Sequence, residues 1–263
     1  MDTTSYGLSV LLSRYAIDMS IANSAADDIV KNTDRDGIVK VYLGTEKVDS
    51  PLDHVAAANV LYFTNQLGRG EEVKPTEEWL VEVLNSGALL KGSRYYHSPD
   101  AFLYFLSRSL KYPRLREKFA PKLRKYLDER IGSTEYPLDL AMRISTSNEL
   151  GIKSPERKLL LDQQNDGAWP ADSIYHYGSK EGYFGSKVIS TAFAVEALSR
   201  PTDELDREWE SQRTMWNRGP EGKAMVVGFC LAMGISIPLL VAKHLIDGVG
   251  EVIRSVKDQI LKP

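Results

Sequence analysis

The sequence predicts an all-α fold, and three observations carry that prediction. Apolar residues recur at three- and four-residue intervals along nearly the whole chain. Capping side chains, helix-opening prolines and helix-closing glycines fall between those stretches. No strand–helix–strand rhythm or long strand series interrupts them. At 263 residues the chain has enough length to bury a substantial core, as one large domain or two small ones. Its 43% apolar and 26% charged residues are those of a soluble globular protein, so disorder is not expected. The net charge of -3 gives no electrostatic case for a nucleic-acid partner. Cys230 is the only cysteine, which excludes an intrachain disulfide and a cysteine-based zinc cluster. His54, His97, His176 and His244 are dispersed, and no basic head followed by an apolar run marks a signal peptide.

The chain opens "MDTTSYGLSVLL". The plain reading is a cap: Asp2, Thr3 or Thr4 accepts the free amides of a first turn, and Leu8, Leu11 and Leu12 form its buried stripe. The sharper reading makes the same carboxylate a catalytic acid held at a helix start. Residues 8–19 and 21–30 read as two short helices, and 34–51 as a turn with a short hairpin in which Val39, Val41 and Leu43 alternate. "NTDRDG" fits half of a calcium loop, with Asn32, Asp34 and Asp36 ahead of Gly37. Lys40 and Leu43 then stand where ligands are required, so a sharp, side-chain-capped turn is preferred. A helix over 53–67 ends at Gly68 and Gly70, and Thr76 caps the next, "TEEWLVEVL". Pro99 opens "PDAFLYFLSRSL", where Phe102, Phe105 and Leu106 share a face. In "RLREKFAPKLRKYLDERI" Pro121 is expected to divide the helix near Phe119. Residues 137–146, 155–164, 188–199 and 203–215 complete the helix series. "DRDGI" and "NDGAW" look alike, but nothing repeats at a fixed period, so a solenoid is not supported.

The division drawn is 1–200 as the helical domain and 201–263 as a C-terminal helical extension. Within the latter, 224–242 runs nineteen residues without a charge. That is near the ~20 needed to cross a bilayer; a central helix buried in a core is the equal alternative. Localisation is therefore read as cytoplasmic or membrane-associated.

Three stretches carry candidate chemistry. In "LLLDQQNDGAWP" Gln163 or Gln164 bridges backbone groups, Asp166-Gly167 makes a tight turn and Trp169 covers a helix end, which is a structural staple. "KGSRYYHSPD" joins Arg94, able to orient an anion, to the π faces of Tyr95 and Tyr96. "YGSKEGYFGSKV" adds Lys180 and Lys187 near glycines. Singly, each is a surface residue; together, cations beside aromatics suit an amphiphilic substrate with a phosphate head.

In order, these stretches resemble the terpene cyclase domain of the drimenyl diphosphate synthase type, in the class II terpene and squalene–hopene cyclase group. In that family the domain is commonly fused behind a haloacid-dehalogenase-like domain. Asp2-Thr3-Thr4-Ser5 looks like the later part of the family's Asp-any-Asp-Thr-Thr acid motif. Asp36-Gly37-Ile38, Asp53, Asn59-Val60-Leu61, Gly68 to Glu72, Thr76 and Trp79 follow in family order. Gly92 to Tyr96, Ser98, Phe102 to Leu106, Gln164, Asp166 to Pro170 and Thr191-Ala192 complete a series over roughly 2–199. The family's first motif aspartate would precede Met1, and further helices are expected ahead of it.

The resemblance implies an (α/α) barrel, incomplete at its N-terminal side, and a sesquiterpene cyclase of isomerase or lyase type. Asp2 would protonate the terminal alkene of farnesyl diphosphate, with a hydroxyl such as Thr3 or Thr4 holding the proton. Trp79, Tyr95, Tyr96 and Trp169 would offer faces to the cation. Arg94, Lys187 and Lys180 would bind the diphosphate, with Mg(2+) as its accompanying ion. A drimane-type bicyclic diphosphate would leave, for a partner phosphatase to hydrolyse. The alternative is a non-catalytic homologue that binds an isoprenoid or pairs with a subunit completing the barrel.

Overall fold

A computed structural model describes residues 2–43, 50–176 and 182–200. The helices are α1 (Asp2–Ser13), α2 (Met19–Lys31), α3 (His54–Gln66), α4 (Lys74–Ser86), α5 (Pro99–Ser107), α6 (Pro113–Arg130), α7 (Pro137–Leu150), α8 (Arg157–Asp162) and α9 (Lys187–Ser199). One antiparallel pair, β1 (Asp172–His176) and β2 (Tyr183–Ser186), precedes α9. The fold is thus mostly helical, as the periodicity predicts.

The helices sort into two layers. The odd-numbered ones pack on one another in chain order, α1 on α3, α3 on α5, α5 on α7 and α7 on α9. The even-numbered ones pack on members of this row, α2 on α1, α4 on α3, α6 on α5 and α7, and α8 on α7. Sequence explains the division. In α5 every residue from Asp100 to Ser107 is buried, and α3 is buried from His54 to Thr64. A helix apolar on all sides belongs in the interior. By contrast α2 buries Ala22, Ala26 and Ile29, and α6 buries Leu115, Phe119, Leu123, Tyr126 and Leu127, the single stripe of an outer helix. Asp53 caps α3, its carboxylate accepting from the Val55 and Ala56 amides, and Ser98 caps α5.

Several expectations change. Helix α1 begins at Asp2, not residue 8, and ends at Ser13, so Asp2, Thr3 and Thr4 form its first turn instead of preceding it. Thr76 lies inside α4, where its hydroxyl accepts from the Val39 amide at 3.1 Å; the helix is opened by Lys74-Pro75. Pro121 does not divide α6, which runs unbroken through it. Both Pro121 and Glu117, whose carbonyl loses its partner, are exposed, so water can take that carbonyl. Of the hairpin expected over 34–51, the described residues show a bridge between Thr33 and Val39, around a turn in which Asp34 Oδ1 accepts from the Asp36 and Ile38 amides at 3.0 and 2.9 Å, while 44–49 lie outside the described residues. The β1–β2 pair was not expected at all.

Among the described residues no helix is long and apolar enough to cross a membrane. The 224–242 stretch, the helix expected over 203–215, Lys180, Cys230 and His244 lie outside the described residues.

Candidate active site

Two small side chains bring α1 close to α3. Ser5 and Ser9 are buried on the face of α1 that carries Asp2, and the two helices run parallel in constant register. Thus Asp2 meets Asn59, whose Nδ2 donates to its Oδ1 at 2.7 Å, and one helical stretch further Gln66 Nε2 donates to the Ser9 carbonyl at 3.1 Å. The second carboxyl oxygen of Asp2 accepts from the Tyr96 hydroxyl.

Each partner of Asp2 is itself fixed. Arg108 donates to Asn59 Oδ1 at 2.9 Å, which leaves the amide nitrogen to face Asp2. The same guanidinium reaches Ser9 Oγ at 3.2 Å and lies over the rings of Tyr6 and Tyr62, 4.7 and 4.1 Å from their centres. Tyr96 is presented by a tight turn. The Ser93 amide donates to the Tyr96 carbonyl at 2.6 Å, and Ser93 Oγ accepts from the Tyr96 amide at 3.0 Å. Gly92 enters that turn at φ +70°, where an added Cβ would lie 2.5 Å from the His97 carbonyl oxygen, so only glycine fits.

Burial raises the pKa of Asp2 above the ordinary carboxylate range, against the opposing pull of the hydrogen bonds from Tyr96 and Asn59; the charge of Asp53 adds to the rise. Burial and then the neighbouring Asp2 hold the Tyr96 phenol well above its usual pKa, so it remains a donor. The result is a carboxyl whose protonated form is favoured by burial and whose orientation is fixed by two donors.

Around it stands an aromatic wall. Tyr96 meets Phe105 edge-on at 5.9 Å, and Phe105 meets Tyr6 at 5.7 Å and Tyr104 at 5.0 Å. Strand β1 supplies Tyr175, stacked on Tyr95 at 5.7 Å and edge-on to Tyr96 at 5.9 Å. The Tyr95 hydroxyl pairs with that of Tyr42. Such rings offer negative faces to a cation and exclude water.

The other expected residues divide. Thr3 is exposed and Thr4 half-buried; the hydroxyl that holds the Asp2 carboxyl comes from Tyr96 instead, because Tyr96 is carried inward by the 92–98 turn. Arg94 is exposed, its guanidinium 5.9 Å from the centre of the Tyr95 ring, and Lys187 is exposed at the first position of α9. Trp79 is half-buried on outer helix α4. Trp169 has no exposed surface, and its Nε1 donates to the Leu160 carbonyl at 2.6 Å, so it staples α8 and has no face left for a substrate. Sequence reasoning did not single out Arg108, Tyr6 or Glu196, and it gave Asn59 no role. The available signal was a polar residue inside an apolar helical run, as in "HVAAANVLYF" and "AFAVEALS". Among the described residues no three His, Cys, Asp or Glu side chains converge in a way that could hold a metal ion.

Comparison with known proteins gives one relationship. Over 204 residues, 76% of this chain, the sequence is 34% identical to drimenol cyclase drtB of Aspergillus calidoustus, of which the aligned stretch is 38%. The chain therefore spans well under half the length of that relative. No protein-family profile matches the chain, and no solved structure matches it.

Proposed function

We propose that the chain carries out the protonation-initiated cyclisation of farnesyl diphosphate to a drimane-type bicyclic diphosphate, the work of a class II sesquiterpene cyclase. The similarity to a drimenol cyclase supports this class of chemistry. The observation that carries the assignment is the Asp2 carboxyl: largely surrounded by protein, raised in pKa and held by Tyr96 and Asn59. The row of inner helices with a second layer outside is also the arrangement an (α/α) barrel needs.

The chemistry follows from the groups. An unactivated alkene is a poor base, so its protonation needs a neutral carboxylic acid in a dry site aimed at the double bond. Asp2 supplies the proton to the terminal alkene, and Tyr96 and Asn59 take up the negative charge left on its two oxygens. The cation then formed lies against the faces of Tyr6, Tyr96 and Phe105, each desolvated contact contributing about 2 kcal/mol. The diphosphate stays attached throughout, and the cations Arg94, Lys187 and Lys180 are assigned to hold it. Mg(2+) is proposed to accompany the diphosphate, held chiefly by the phosphate oxygens, while the proton and cation steps rest on this chain's own residues.

The test is incubation of the purified protein with farnesyl diphosphate, followed by phosphatase treatment and mass spectrometry. A bicyclic drimane alcohol is expected. Asp2→Asn should abolish it while farnesyl diphosphate still binds. Farnesol alone from the unaltered protein, or equal product from Asp2→Asn, would overturn the assignment.

A further inference from the structure

A second carboxyl is largely enclosed in the inner row. Glu196 is the one charged residue in the α9 run "VISTAFAVEALS", with Phe193, Ala194, Val195 and Ala197 buried around it. Its Oε2 accepts from the Tyr104 hydroxyl of α5 at 3.0 Å. Both Glu196 and Asp2 are largely surrounded by protein yet keep some accessible surface.

The two acids are joined by a continuous line of rings. From Asp2 the line passes to Tyr96, then to Phe105 at 5.9 Å, then to Tyr104 at 5.0 Å, and from its hydroxyl to Glu196. Two carboxyls thus terminate one aromatic wall. The alkene-protonating reading above uses only one of them, and any cyclisation that starts with a proton and ends in an alkene must also give one up.

We propose, on the cyclase reading, that Glu196 is the base that ends the reaction. A C–H bond on the carbon next to the final cation breaks, and its electron pair becomes the new C=C bond. The proton passes to a Glu196 carboxylate oxygen. Substrate and product are isomers, so nothing is oxidised or reduced, and the proton gained from Asp2 balances the one lost to Glu196.

The environment suits that role. Burial raises the Glu196 pKa to about 7, against the hydrogen bond from Tyr104. The other charges that face it are Arg108 beyond α5, Glu149 of α7 and Arg200 beyond α9, of which the two arginines favour the carboxylate and Glu149 opposes it. Near neutrality a large share of Glu196 is therefore ionised and ready to accept a proton, and it remains basic enough to do so.

The experiment follows products and the pH profile of kcat with farnesyl diphosphate. The unaltered protein should show an acid limb near pH 7. Glu196→Gln should remove that limb, lower kcat roughly 100-fold and divert the cation to hydroxylated, water-captured bicycles. Glu196→Asp should restore part of the alkene product. Should Glu196→Gln fail to fold by circular dichroism, Tyr104→Phe serves instead: losing the donor makes Glu196 more basic, so the acid limb should move to higher pH. An unchanged profile and product spectrum in a folded variant overturns the base assignment and leaves the cyclase reading standing. Absence of any bicyclic product from the unaltered protein overturns both.

Discussion

Replacing Tyr96 by Phe removes one oxygen and tests how the acid is set. The ring keeps its edge-on neighbours Phe105 and Tyr175, and Asn59 still holds the other Asp2 oxygen at 2.7 Å, so the carboxyl stays in place. What disappears is a hydrogen bond that stabilises the carboxylate and pulls the Asp2 pKa down against burial. A hydrogen bond to a charged group contributes about 1.5–3 kcal/mol, which corresponds to a rise of about 1–2 pKa units. The sign is upward, because the lost partner favoured the ionised form. Asp2 must be protonated to act, so the basic limb of the kcat profile should move up by about 1–2 pH units. Plateau kcat should fall about tenfold or more, since the remaining acid is weaker. The assay is cyclised product against pH from 5 to 9 (roughly the span accessible to a carboxyl acid of this kind). Tyr95→Phe is the control: its hydroxyl pairs with Tyr42, not Asp2, so the limb should stay. A basic limb that is unmoved, or displaced downward, by Tyr96→Phe refutes the account of how Asp2 is tuned.

Two further outcomes probe other parts of the molecule. Arg94→Ala should raise KM for farnesyl diphosphate with little change in kcat, because its exposed guanidinium is assigned to the head group and not to the reacting carbons; an unchanged KM counts against that contact. Arg143→Ala should lower stability by about 3–5 kcal/mol in urea unfolding. Arg143 is fully buried and bridges Asp100 at 2.7 Å to Glu156 at 2.8 Å, so its loss leaves two enclosed carboxylates undercompensated, and a loss below about 1 kcal/mol would show the network to be dispensable.

How much of this was legible in the sequence depended on the range of the interaction. Helix starts and periodicity are local, so the helix over 54–66 was placed almost to the residue and that over 99–107 at its Pro99 start, though neither Asp53 nor Ser98 was read as a cap. Pro121 misled because the local rule knows nothing of water reaching an exposed carbonyl. The β pair escaped because its four-residue second strand has only one partner and little apolar alternation. At the site, Asp2 was visible through its resemblance to an acid motif, but its partners were not. Tyr96 was noted as a π face, whereas its hydroxyl is the group that donates to Asp2, and Thr3 was favoured over it merely for being adjacent. Asn59 and Arg108 act through contacts spanning 57 and 49 residues, which no window on the sequence can see.

Those separations also say when the acid comes into being. On an unfolded chain Asp2 is an ordinary hydrated carboxylate, ionised at neutral pH. Its pKa is raised and its oxygens are held only after α3 has docked, 57 residues on, and the tyrosine turn has closed, 94 residues on. The proposed acid is thus a product of assembly, absent from every partly folded form in which α1 has come away from α3. Mild denaturation that peels off this one helix would silence the acid while the ion-paired interior of α5, α6 and α7 remained intact. Activity would then be lost ahead of bulk helicity, making it a finer gauge of α1 docking than any spectroscopic signal averaged over the chain.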